Sequence, residues 1–106
     1  MSGVPANLVF ESRGADLYAL EGRVDLSTVS HLMAVGTSAL AGSTNPTISL
    51  AGASAEGSAI LALLIGWQRD CHQRGCRLIF ADVPEPLRRI AEASEVAQLL
   101  GISAGS

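Results

Sequence analysis

The sequence predicts an α/β domain built on a mostly parallel sheet. Three observations predict it. Short β-prone runs alternate with longer segments of helical period in the order ββαβαβα(α), and such alternation implies crossover connections between parallel strands. The 106 residues are 48% hydrophobic, enough for a core at this size, and only 16% charged, so extended disorder is not expected. Aromatics are 4%, so the core must be aliphatic.

Asn7 to Ser12 and Asp16 to Glu21 alternate in part around Arg13-Gly14-Ala15, and they read as the strands of a hairpin. Asp25 or Ser27 then caps a helix whose apolar positions are Leu26, Val29, Met33, Gly36 and Leu40. Gly42 to Pro46 is a turn cluster, Thr47 to Leu50 a short strand, and Ala51 to Gly57 a loop of small residues. Ser58 to Arg74 is a helix stopped by Gly75. Arg77 to Ala81 is a strand. Asp82 to Pro86 opens a helix running to about Ala93, with proline tolerated in the first turn. Glu95 to Leu100 is a last short helix ending at Gly101, and Ser103 to Ser106 should fray.

The net charge is −3, and all seven basic residues are arginine. Nucleic-acid binding needs a basic footprint that this chain lacks. The absence of lysine excludes Schiff-base chemistry and the lysine of a P-loop. The two cysteines and two histidines (His31, Cys71, His72 and Cys76) do not fall at the ordinary spacing of a structural zinc site. Met1 to Phe10 has neither the basic nor the apolar region of a signal peptide. The longest apolar run, Ala59 to Trp67, has nine residues, against the roughly 20 a bilayer span needs. These features describe a small soluble protein or a peripheral subunit of something larger.

The central helix is the most informative element. At about 100° per residue, Ile60, Leu63, Leu64, Trp67 and Cys71 share one face, which belongs on the sheet. Ser58, Ala62, Ile65 and Arg69 fall on the other side, flanked by Leu61. The first half of the helix is therefore apolar nearly all round, as in a helix that is deeply buried or forms half of an interface. Stray exposed alanines and one isoleucine are the plainer alternative. Ser58 itself reads either as an N-cap or as a hydroxyl displayed at a helix N-terminus, where the dipole would favour a phosphate.

Five stretches together carry a resemblance. Ile48-Ser49-Leu50 leads to Gly57-Ser58-Ala59-Ile60-Leu61-Ala62-Leu63-Leu64; Trp67-Gln68-Arg69-Asp70 follows; then come Gly75-Cys76-Arg77-Leu78 and Val83-Pro84-Glu85-Pro86-Leu87-Arg88. With Leu20-Glu21-Gly22-Arg23-Val24-Asp25, matching the strand-end pattern L-x-G-x-[LV]-D, the chain resembles the STAS domain family of anti-sigma-factor antagonists. Within it, the chain is similar to the small STAS subunit of Mla phospholipid ABC transporters. The resemblance runs from about Leu8 to Ile102 and implies one STAS domain over residues 1–106. It also implies a mixed sheet of about four strands with helices mainly on one side.

The implied function is non-enzymatic, with no catalytic residue, metal or cofactor. The resemblance implies a cytosolic subunit, peripheral to the inner membrane through its partner, that binds the transporter's ATPase. A permease and an MCE-type lipid-binding subunit would share the complex, which maintains outer-membrane lipid asymmetry. The partner surface would be Ser58, Leu61, Ala62, Ile65 and Arg69. The alternative is an anti-sigma-factor antagonist phosphorylated on Ser58. The sequence departs from the family pattern: Gly57 stands at the usual aspartate, Ile60 at the usual glycine and Ser49 at a usual acid.

Other patterns carry less. Gly52-x4-Gly57-Ser58 mimics part of a P-loop, but it lacks the lysine and carries Glu56, which would repel phosphate. Cys71 and Cys76 are not a CxxC motif and are expected to be inert reduced thiols. His31 could join Ser58 only in a triad lacking the G-x-S-x-G elbow. Arg88 and Arg89 read as a solvated helix face or a rim contact.

Overall fold

A computed structural model describes residues 9–55 and 58–101. The expected frayed tail, the start of the first strand and Glu56-Gly57 lie outside the described residues. The elements are β1 (Val9–Gly14), β2 (Leu17–Val24), α1 (Val29–Leu40), β3 (Thr47–Ala55), α2 (Ala59–Gln73), β4 (Ile79–Ala81), α3 (Glu85–Ala93) and α4 (Ala97–Leu100). The four strands lie in the order β1-β2-β3-β4. β1 runs antiparallel to β2, whereas β2–β3 and β3–β4 are parallel. Parallel neighbours need a crossover, and α1 and α2 provide the two crossovers. The sheet is thus mixed, as expected.

The hairpin turns through Asp16, which adopts a left-handed φ of 58°, a conformation aspartate tolerates better than most residues. The Asp16 carbonyl accepts the Thr47 N–H at 2.8 Å, which ties this turn to the start of β3. β3 is longer than its sequence suggests, because the stretch expected as a loop from Ala51 is strand as far as Ala55. Ala, Gly and Ser are poor strand formers. Here the pairings Gly22↔Ala53 and Arg23↔Ser54 hold them extended after an irregularity that follows Ser49.

The start of α1 also differs from expectation. Thr28 is its N-cap. The Asp25 carboxylate instead accepts the Ser27 N–H at 2.9 Å and its hydroxyl at 2.6 Å, forming a turn before the helix. The Ser27 hydroxyl, then the Ser27 backbone N–H, hold the Asp25 carboxyl below its ordinary pKa. Leu26, expected on the apolar stripe, sits in that turn and is 85% exposed.

One face of the sheet carries Tyr18, Leu20, Ile48, Leu50 and Phe80 into a single core cluster, joined by buried residues of all four helices. The helices therefore lie on that side. The Tyr18 hydroxyl donates to the Ala39 carbonyl at 3.2 Å and meets Ser43 Oγ at 2.7 Å, so this buried polar pair is satisfied. α2 lies against α1, with the fully buried Trp67 between them; its Nε1 donates to the Met33 carbonyl at 3.3 Å. Phe10 packs on the same indole with ring centroids 5.1 Å apart.

α2 ends in a Schellman turn. The Cys76 N–H bonds to the Cys71 carbonyl at 2.9 Å and the Gly75 N–H to the His72 carbonyl at 3.1 Å. Gly75 makes the turn with φ 80°, a conformation that favours glycine. The turn folds the chain back so that the Cα atoms of Cys71 and Cys76 come to 5.1 Å, and a disulfide joins them. This corrects the expectation of reduced thiols: their separation in sequence excludes a CxxC motif but suits the two ends of this turn.

Candidate docking surface on the second helix

Ser58 is the N-cap of α2, and it is exposed. Its carbonyl accepts the Leu61 N–H at 3.0 Å, but its hydroxyl makes no capping hydrogen bond. The capping role expected of the side chain is therefore not filled, and the hydroxyl stands at the positive end of the helix dipole. The inner face is as the period predicts: Ile60, Leu63, Leu64, Trp67 and Cys71 are all fully buried. Ala62 and Arg69 are exposed and Ile65 is half-buried.

Leu61 is a correction. It is only 5% exposed and belongs to the core cluster, so it adds little to the accessible face. A residue about 100° around the helix from Ile60 sits on the flank of the buried stripe. α2 contacts both α1 and α4, which widens that stripe. The accessible face thus runs from Ser58 through Ala62 and Ile65 to Arg69, about 16 Å at the helical rise per residue.

The other candidates fall away from this surface. His31 is exposed on α1 and forms no hydrogen bond with Ser58. Gly52 lies inside β3, which removes the first glycine of the P-loop mimic from any loop. Arg88 bonds to Glu85 and Glu92, and Arg89 to Glu85 at 3.1 Å. Hydrogen bonds from Arg88, then Arg89, hold the Glu85 carboxyl below its ordinary range. Both guanidiniums are therefore engaged within α3. Among the described residues no group of three or more His, Cys, Asp or Glu could hold a metal ion. No helix among them is long and apolar enough to cross a membrane.

The arrangement is a four-stranded mixed sheet with its helices on one side and a hydroxyl at the start of the central helix. A family model described as the MlaB STAS domain matches residues 10–101. The chain belongs to the MlaB-type STAS domain family. Its fold is similar to that of the anti-sigma factor antagonist SpoIIAA in its unphosphorylated form. The TM-score is 0.69 at 17% identity, over 86% of this chain and 83% of that one. It is likewise similar to the Bacillus cell fate determinant SpoIIAA in the phosphorylated form, with a TM-score of 0.65 at 17% identity over 86% of each chain. A comparison with curated proteins returns no match.

Two departures of this STAS domain from its family pattern have structural places. Ile60, at the usual glycine, is fully buried in the core. Ser49, at a usual acid, donates its hydroxyl to the Asp82 carboxylate at 2.9 Å. Gly57 lies outside the described residues. Sequence reasoning missed His72, Arg77 and Leu99, which line a groove with Ile65 and Arg69. One signal was available: Arg69 has no acid three or four residues away on its helix, whereas Arg74 has Asp70.

Proposed function

We propose that this STAS domain is a non-enzymatic cytoplasmic subunit that docks on the ATPase of an Mla-type phospholipid ABC transporter and supports its assembly or activity. The permease and an MCE-type lipid-binding protein would complete the complex, which would hold this subunit at the inner membrane and maintain outer-membrane lipid asymmetry. The observation that carries this reading is the outward face of α2, a small and partly apolar strip from Ser58 to Arg69. Membership of the MlaB-type family supports the choice of partner.

The strip lets another subunit approach the helix closely at Ala62, with Arg69 placed for a rim ion pair. Ala62→Arg is expected to weaken ATPase binding by at least about 2 kcal/mol, in the range of an unpaired charge forced into an interface. Co-purification of the ATPase with wild-type and variant chains measures it. Wild-type binding by a folded Ala62→Arg chain removes α2 from the interface.

A second reading, the phosphorylation-controlled antagonist, is favoured by the exposed and uncapped Ser58 hydroxyl. The helix dipole would stabilise a phosphate there. Gly57, however, replaces the acid of the switching branch. Ser58 is expected to be mostly unmodified in the cell. Intact-mass measurement of native protein decides: a dominant species heavier by about 80 Da, one phosphate, favours the switch.

A further inference from the structure

A groove of about 440 Å³ lies between the second half of α2, the segment leading into β4, and α4. Its lining includes Ile65, Arg69, His72, Arg77, Leu78 and Leu99. The volume falls in the range of ligand pockets. Leu78 is buried, Ile65 half-buried, and Leu99 is 59% exposed. An apolar side chain entering the groove would find these three and cover the exposed leucine.

The charge of the groove is unlike the rest of the chain. Arg13, Arg74, Arg88 and Arg89 are bonded to carboxylates, and Arg23 acts on Asp25. Arg69 and Arg77 have no side-chain partner among the described residues, and both line the groove. No acidic residue lines it, although the chain as a whole carries a net charge of −3. Each free guanidinium presents a planar fork suited to one carboxylate. The ligand chemistry that meets both features joins carboxylates to an apolar side chain.

We propose that this groove docks an acidic peptide segment of a partner protein, with its carboxylates on Arg69 and Arg77 and one leucine-sized side chain against Leu78 and Leu99. The site extends beyond the outward face of α2 and is testable apart from it. Arg77 and Leu99 lie outside that helix, and the probe is a free peptide rather than the ATPase.

The test is a titration of the isotopically labelled chain with the acetylated hexapeptide Glu-Asp-Leu-Leu-Asp-Glu, followed by amide chemical shifts. Two controls replace the acids by their amides or the leucines by serine. Shifts are expected at the groove residues, and added salt should weaken binding. Arg77→Gln and Leu99→Ser should each reduce affinity about fivefold or more, the scale of one charge-assisted hydrogen bond or one buried apolar contact. Melting curves check both variants; if Leu99→Ser melts early, Arg77→Gln alone decides. The proposal is overturned by equal binding of either control, by shifts that map elsewhere, or by no shift at millimolar peptide. It is also overturned if phosphatidylglycerol vesicles bind at these residues and the peptide does not.

Discussion

Replacing Trp67 with alanine should lower the free energy of unfolding by about 3–5 kcal/mol, the range for removing a fully buried aromatic side chain. The ring is completely enclosed, packs on Phe10, and bonds to the Met33 carbonyl at 3.3 Å. The expectation extends to its neighbour. A Cβ added at Gly36 would clash with Cε2, Cζ2 and Nε1 of the Trp67 indole. Gly36→Ala should therefore cost about 1–3 kcal/mol, the usual penalty of overpacking. In a Trp67→Leu background the smaller side chain removes the clash. There Gly36→Ala should become neutral or stabilising, because alanine is favoured in a helix interior by about 0.5–1 kcal/mol. Urea unfolding of the four chains measures the coupling. If the effect of Gly36→Ala is the same in both backgrounds, the close approach of α1 and α2 at this point is misassigned.

Leu64→Ala should destabilise folding by about 2–5 kcal/mol through a cavity beneath α2. Leu64 is fully buried and belongs to the central cluster. Ala62, two positions earlier, is exposed, so Ala62→Arg should leave the melt close to wild type while weakening the docking proposed above. Thermal melts of both variants compare the two faces of one helix. A Leu64→Ala chain as stable as wild type, or an Ala62→Arg chain that unfolds, would mean that the helix is rotated from the orientation described.

The inner face of α2 was legible because helical period depends only on the chain's own geometry, and five residues of one stripe must point together. The flank was not legible. Whether Leu61 is covered depends on how closely α1 and α4 approach, and neither distance is written in a local pattern. The same holds for Ser58. Its type suits a cap, but the torsions of the turn decide whether its hydroxyl reaches an amide.

The sequence by itself determined the order of the elements, a core that is aliphatic apart from Phe10, Tyr18, Trp67 and Phe80, the all-arginine basic set and the inward-facing stripe of α2. Each follows from composition or from a period read along a single segment. Tertiary structure decided the length of β3, whose small residues are held extended by pairing with β2. It decided the cap of α1, where Asp25 is drawn into a turn with Ser27. It joined Cys71 to Cys76 by folding the chain back at Gly75. It also brought Arg69 and Arg77 to one groove without carboxylates. These outcomes depend on which groups meet across the fold, and the energy of a meeting resides in the pair rather than in either residue's local sequence.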